Sequence, residues 1–380
     1  MTYFTLKKTV FLFLCLSVAI CCSGVADQSD TRDDSDAETL GWQLGVQAWT
    51  FKNFTFFEAV DKAADMGLKY IEAFPGQRIG GGTGDTARIH PAMSMQDRER
   101  VKKKLADAGV TLSAFGVASP GTEKGWRKLF AFAQDMQIPV ITSEPAPKQL
   151  DLVEKLCEEF KIKLAIHNHP KPSRYWNPET VLKAINGRSK QIGFCADTGH
   201  WRRSGLDPVA CLKKCAGRIV CLHFKDLNRE ERPAHDVPWG TGVNNVWAML
   251  SELKRQDFKG GFSIEYEHNW NNSMPEIRQC IRYFNLAAAA LNDEGYTLLF
   301  SPDLSNAIYT AGGWQYSDGV IAGQKKGDIW TKDMYGDFIL DLEFKTTRIS
   351  NSGVFLRCGS IKNWLHSAIE VQVLQPTPRN

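Results

Sequence analysis

A chain of 380 residues, 43% apolar and 23% charged, is long enough to bury one large core and add a smaller domain. A formal net charge of +3, with no dense basic stripe, excludes nucleic acid as the main partner.

Residues 1–26 read as a targeting segment. Lys7 and Lys8 precede the apolar run Val10–Ile20, and Gly24-Val25-Ala26 offers small residues for cleavage. The run is too short for a stable membrane span, and Ala19-Ile20 before Cys21 is a poor lipoprotein processing site. The expectation is export, to the periplasm or the medium, by a cleavable signal peptide without a lipid anchor. Residues 27–41 form an acidic linker, in which Asp27, Asp30, Asp33, Asp34, Asp36 and Glu38 are opposed by Arg32 alone, a composition that favours disorder.

Cleavage removes Cys15, Cys21 and Cys22. Cys157, Cys195, Cys211, Cys215, Cys221, Cys280 and Cys358 remain, odd in number and without tight spacing. Neither a disulfide framework nor a thiolate zinc site is expected. Cys195 and Cys221 lie in apolar strands, where a thiol acts as a small hydrophobe.

From residue 42 short β-branched or apolar runs alternate with segments of helical period. The predicted strands are Gln43–Trp49, Lys69–Phe74, Thr111–Val117, Val140–Glu144, Lys161–His167, Gln191–Asp197, Ile219–His223 and Phe262–Glu267. Between them lie helices such as Phe56–Met66 and Asp97–Ala108, stopped by Gly67 and Gly109, then Lys148–Phe160, Pro178–Ile185, Asp207–Cys215 and Val243–Gln256. Eight such units over 42–291 match a (β/α)8 TIM barrel, an α/β fold of roughly 250 residues. A doubly wound sheet would carry a glycine-rich phosphate turn after its first strand. Here Gly80-Gly81-Gly82-Thr83-Gly84 follows the second strand with no helix directly behind it, and reads as a flexible loop or lid.

Side chains alternate along a strand, and barrel sites lie at the C-terminal strand ends. That period puts Thr142 with Glu144, His167 with His169, Cys195 with Asp197, Cys221 with His223 and then Lys225, and Glu265 with Glu267. Strands four to eight therefore each end in a carboxylate or imidazole on one face. Asp197-Thr-Gly-His200 could alone be an ordinary turn, but within this ring it reads as part of a site. Gln47, Trp49 and Glu72 extend the wall from the first two strands. Glu144, Asp197, His223 and Glu265 make a mixed carboxylate–imidazole set suited to a divalent metal, with manganese, magnesium or cobalt favoured over zinc. Glu144 and Glu265 could exchange protons with a substrate carbon, with Lys225 neutralising developing charge. His169, His200 and Glu267 could grip hydroxyls.

The stretches Ile166-His-Asn-His-Pro170, Cys195-Ala-Asp-Thr-Gly-His200, Leu222-His-Phe-Lys-Asp226 and Ser263-Ile-Glu-Tyr-Glu267 resemble the sugar phosphate isomerase/epimerase family, a group of xylose isomerase-like barrels. The resemblance implies a divalent-metal barrel acting on a carbohydrate, with Asp197, His223 and Glu265 as ligands and His200 as a nearby ligand or substrate contact. Many members carry a glutamate ligand where this chain has His167. Either His167 is the fourth ligand, with Glu144 displaced, or Glu144 fills that role. The endonuclease IV branch is disfavoured, since the second and third strands lack its additional histidines.

Beyond the helix Pro275–Leu291, the runs Tyr296–Phe300, Asp328–Thr331, Phe338–Lys345, Gly353–Arg357 and Ile369–Leu374 read as an antiparallel β-sandwich. Trp314, Ile329-Trp-Thr331, Asn351-Ser-Gly-Val-Phe-Leu-Arg357 and Ile369-Glu-Val-Gln-Val373 resemble the 3-keto-disaccharide hydrolase domain, a concanavalin-like fold. Residues 296–380 cover only part of such a sandwich, so an incomplete domain is expected. Arg357, Glu370 and Gln372 line either a sugar groove or a solvated sheet face.

The sequence thus points to a metal-dependent sugar isomerase or epimerase that removes a proton next to a carbonyl. A lyase, hydratase or hydrolase of 3-keto-glycosides, or a non-catalytic carbohydrate-binding protein, is the alternative. The expected partner is a small carbohydrate, with no nucleic acid and no stable membrane span. A homo-oligomer is compatible with these features.

Overall fold

The computed structural model describes residues 3–8, 33–82, 86–230, 232–292, 299–301, 303–317, 320–324, 327–335, 340–345 and 351–374. It divides into two units, 27–292 and a second made of 1–26 with 293–380. The apolar run Val10–Ile20 and its cleavage point lie outside the described residues. Among the described residues no helix is long and apolar enough to cross a membrane.

In the larger unit eight parallel strands close into a barrel: β1 Trp42–Gln47, β2 Tyr70–Ala73, β3 Thr111–Phe115, β4 Val140–Ser143, β5 Lys163–His167, β6 Ile192–Asp197, β7 Ile219–Phe224 and β8 Gly260–Ile264. β8 pairs with β1 and β7, which closes the ring. Such strands are covered on both faces, which is why they read as unbroken apolar runs; every residue of β6 is buried. All eight predicted strands are present, shifted by a few residues at their ends.

Helices α1 Ser35–Thr39, α2 Phe56–Asp65, α3 Met95–Ala108, α4 Glu123–Asp135, α5 Leu150–Phe160, α6 Pro178–Ile185, α7 Thr198–Arg203, α8 Pro208–Lys214, α9 Val246–Arg255 and α10 Met274–Asn292 accompany the strands. Their starts are marked by caps that satisfy free N–H groups: Thr55 with Glu58 forms a capping box, and Ser94 and Thr122 accept from Asp97 and Gly125. α4 buries Trp126, Leu129, Phe130, Phe132 and Ala133, one apolar stripe at helical spacing.

One expectation is corrected. The acidic linker is structured from residue 33: α1 buries Ala37, Asn292 Nδ2 donates to Asp36 Oδ1 (2.9 Å), and Lys69 pairs with Glu38 (2.8 Å). The glycine-rich loop is anchored at its base, where Ile79 N donates to Ala87 O and Ile89 N to Gln77 O, each at 2.8 Å. Its residues 83–85 lie outside the described ones.

After β7 the chain forms a short ribbon, Asp226–Leu227 against Asp236–Val237. The Asp226 carboxylate accepts the N–H groups of Leu227, Gly240, Gly242 and Asn244 at 2.8–3.0 Å. One side chain thereby fixes both ends of the loop.

In the second unit the strands are short and antiparallel: β9 Ala307–Tyr309, β10 Trp314–Ser317, β11 Val320–Gly323, β12 Ile329–Thr331, β13 Leu340–Lys345, β14 Asn351–Leu356 and β15 Ile369–Leu374. Tyr3–Lys8 pairs with β11 and β13. Phe300, Leu304, Ala307 and Ile321 form a small core. Of the predicted strand Tyr296–Phe300, residues 296–298 lie outside the described ones and 299–300 form a bend. β9, β10 and β11 were not anticipated. β15 pairs with β14 and leaves Ile369 and Val371 exposed.

Candidate metal centre

β5, β6, β7 and the residue after β8 deliver His167, Asp197, His223 and Glu265 to one point, all buried, each offering a ligand atom within 4.8 Å of the others. His167 Nε2 is 3.5 Å from Asp197 Oδ2, and His223 Nδ1 is 3.3 Å from Glu265 Oε2 and 4.0 Å from Asp197 Oδ2. Of the two alternatives for the fourth position, His167 is therefore the one that joins this group. Glu144 Oε1 turns away, 2.6 Å from His169 Nδ1, 3.0 Å from His169 N and 3.4 Å from His167 Nδ1.

Glu72 is corrected as well. It is fully buried: Oε2 accepts from His223 Nε2 and Ser263 Oγ, both at 2.9 Å, and Oε1 from Thr142 Oγ1 at 2.8 Å. It meets the back of His223 and has no face left for substrate. A carboxylate only accepts, so Glu72 holds a proton on His223 Nε2, and the neutral ring, the form that can bind an ion, turns its Nδ1 lone pair to the centre. Glu144 stands in the same relation to Nδ1 of His167.

His167 Nε2 and His223 Nδ1 are buried without a hydrogen-bond partner among the described residues. Buried polar atoms are normally satisfied. Two orphaned imidazole nitrogens facing two carboxylates are a donor set of two nitrogens and two oxygens, which fits a divalent ion.

Lys225, buried, places Nζ 2.8 Å from Asp197 Oδ2, 2.6 Å from Glu265 Oε2 and 3.1 Å from Glu267 Oε2. Burial works against its charge, but these three carboxylates raise its pKa well above the usual lysine value. Burial likewise opposes the charge on Asp197, yet His200, Lys225 and His167 hold its carboxyl well below the usual range. Glu265 is held low against burial by Lys225 and His223. Burial favours neutral His223, but Glu72 and Glu265 outweigh it and raise its pKa.

The local sequence explains the placement. Asp197 ends β6 and caps α7, with Oδ1 accepting from His200 N at 2.6 Å. Asn168 brackets the same strand end, accepting from Asp197 N (2.9 Å) and donating to Asp197 O (3.0 Å). Gly199 is required by the Lys225 stem, since a Cβ there would lie 2.7 Å from Lys225 Cδ. Arg203, one turn after His200, reaches Glu267 and Asp236 (Nη2 to Oδ2, 2.8 Å). Sequence reasoning passed over Asn168 and Arg203; the signal for Arg203 was the spacing Asp197, His200, Arg203 along one helical face. Among the rim residues, His169 is half exposed. Trp49 is 37% exposed and edge-on to Phe74, beside Thr50, whose Oγ1 accepts from Tyr266 N (2.9 Å).

Comparison with known proteins agrees with this architecture. The chain is 29% identical over 159 residues to the rhizopine catabolism protein MocC of Rhizobium meliloti (38% of this chain, 48% of that protein). It is 27% identical over 150 residues to inosose dehydratase of Bacillus cereus (34% and 50%). It thus spans about half the length of these curated relatives. Among solved structures, an uncharacterised protein of Parabacteroides distasonis is 39% identical, with a TM-score of 0.54 over 64% of this chain and 98% of that one. A D-tagatose 3-epimerase-like protein (16%, TM-score 0.52, 66% and 99%) and the zinc-containing IOLI protein (15%, TM-score 0.53, 66% and 99%) share the fold. Residues 295–379 match the 3-keto-alpha-glucoside-1,2-lyase-like domain. Residues 60–285, more than half of the chain, match the xylose isomerase-like TIM barrel, and the chain belongs to that family.

Proposed function

We propose that the barrel is a divalent-ion enzyme that removes a proton next to the carbonyl of a keto-sugar or keto-cyclitol. The observation that carries this is the meeting of two orphaned imidazole nitrogens with Asp197 and Glu265 at the barrel mouth. A bound ion would polarise the substrate carbonyl and stabilise the negative charge that forms on its oxygen. With two nitrogen donors, manganese, cobalt and zinc suit the set better than magnesium.

We assign removal of the proton from carbon to Glu265, with Lys225, 2.6 Å away, offsetting the charge around it. The two-sided exchange of an epimerase needs a base on each face of the carbon. Here the fifth strand offers His167, and Glu144 is occupied by three nitrogen atoms of His167 and His169. One base with several hydrogen-bond donors favours β-elimination: the C–H bond breaks with its proton going to the base, a C=C bond forms beside the carbonyl, and the neighbouring C–O bond breaks with its oxygen taking up that proton and leaving as water or alcohol. Relatives named inosose dehydratase and the 3-keto-alpha-glucoside-1,2-lyase-like match support this reading. Isomerisation or epimerisation starts with the same proton removal and is the second reading, supported by the epimerase-like neighbour.

The test is NMR in deuterated water with ketoses, 2-keto-cyclitols and 3-keto-glycosides, in the presence of manganese, cobalt, zinc or magnesium. Loss of a hydroxyl or aglycone with an enone product supports elimination. Deuterium exchange with the leaving group retained supports epimerisation. Binding with no exchange under any ion returns the barrel to a non-catalytic carbohydrate-binding role.

A further inference from the structure

We propose that Arg203 is a positioning residue that fixes the tautomer of His200, making His200 a hydrogen-bond donor to the substrate oxygen that gains charge and not a ligand of the ion. This rests on the proton-abstraction reading for its role in turnover, while the tautomer itself stands on geometry.

Arg203 Nη1 lies 3.2 Å from His200 Nδ1. A guanidinium has donors only and remains protonated, so Nδ1 must accept and carries no hydrogen. A neutral His200 therefore holds its proton on Nε2. That nitrogen is directed into the site, 3.6 Å from Asp197 Oδ2. A ligand nitrogen needs a free lone pair, which Nε2 lacks in this state. The contrast with His167 and His223 is direct: each of those turns an unpartnered nitrogen to the centre and backs its other nitrogen with a glutamate. His200 is backed by a cation, which has the opposite effect on the ring.

Arg203 is itself held from three sides. Nη1 donates to Glu267, Nη2 donates to Asp236 Oδ2 at 2.8 Å, and its carbonyl accepts from Arg232 Nε at 3.1 Å. The His200 ring is stacked on His169, with centroids 5.5 Å apart and planes 28° from parallel. A fixed N–H aimed where charge develops stabilises it without reorganisation and without losing its proton.

The experiment uses the full chain labelled with 15N-histidine, with His200 assigned by its disappearance in His200→Asn. Long-range 1H–15N spectra should show Nε2 protonated and Nδ1 as an acceptor, and Arg203→Met should let the Nδ1–H tautomer appear. Ion content measured by mass spectrometry should stay at the wild-type value in His200→Asn. With a substrate in hand, His200→Asn and Arg203→Met should each lower kcat about 10²- to 10³-fold with little change in KM, Arg203→Lys should recover part of the loss, and the double variant should lose no more than either single one. An Nδ1–H tautomer in the wild type overturns the proposal, a result that holds even if Arg203→Met does not fold. So does loss of the ion in His200→Asn. Absence of turnover on every keto-sugar instead refutes the functional reading and leaves the tautomer result standing.

Discussion

Replacing Glu72 by Gln changes the back of His223 while almost preserving volume. Three donors meet the two carboxylate oxygens: His223 Nε2 and Ser263 Oγ at Oε2, and Thr142 Oγ1 at Oε1. An amide has one oxygen to offer. Turned toward His223 and Ser263, it keeps both of those bonds, and the NH2 group meets the Thr142 hydroxyl, which can rotate to accept. The fold should survive. What is lost is the charge: a bond to a carboxylate is worth about 1.5–3 kcal/mol and a neutral one about 0.5–1.5. Less basic Nδ1 should then bind the ion about 10- to 100-fold more weakly, or ~1.4–2.7 kcal/mol. Competition against a fluorescent chelator, with circular dichroism to verify folding, measures this directly. Ion affinity within twofold of wild type in a folded Glu72→Gln would refute the idea that Glu72 acts through His223. A wild type that takes up no divalent ion would refute the centre itself.

Lys225→Met removes the cation held between Asp197, Glu265 and Glu267, so ion binding should tighten while turnover falls; the same titration and a rate assay check both. Gly199→Ala forces a Cβ to within 2.7 Å of the Lys225 stem, and should lower stability by about 1–3 kcal/mol in urea unfolding. Asp236 is pushed up to about 7 by burial, which Arg203 only partly offsets. Its unfolded value is about 3.9, so between these values the folded chain holds the extra proton. Its contribution therefore favours folding at low pH and declines as pH rises through about 7. Asp236→Asn should show a smaller drop in urea midpoint between pH 5 and pH 8 than wild type does.

The barrel was legible because parallel strands covered on both faces leave unbroken apolar runs, and a period of two then places Asp197, His223 and Glu265 on one face. The same period cannot tell Glu72 from a substrate contact. Its side chain points inward as expected, but its role is decided by His223 across the barrel, 151 positions later in the chain. His167 and Glu144 are adjacent at the mouth, and only the direction of each ring nitrogen separates ligand from support. Arg203 and Asn168 act on neighbours through hydrogen bonds that only the folded geometry brings together, which composition does not register. The α1 segment was missed because its acidic face is solvated while one alanine, Ala37, does the packing. In the second unit β9 and β12 are each three residues long, too short for alternation to develop.

The four-fold grip of Asp226 on the backbone has an evolutionary and engineering consequence. Because Leu227 and the 240–244 segment are tied to one carboxylate, the span 229–235 between them can change in length or sequence while the anchor that follows His223 and Lys225 stays fixed. That span ends in His235, which stacks on His268 at 4.2 Å, and is followed by Asp236. It is a cassette: a place to graft loops from other barrels, provided that the Arg232 bond to the Arg203 carbonyl is kept.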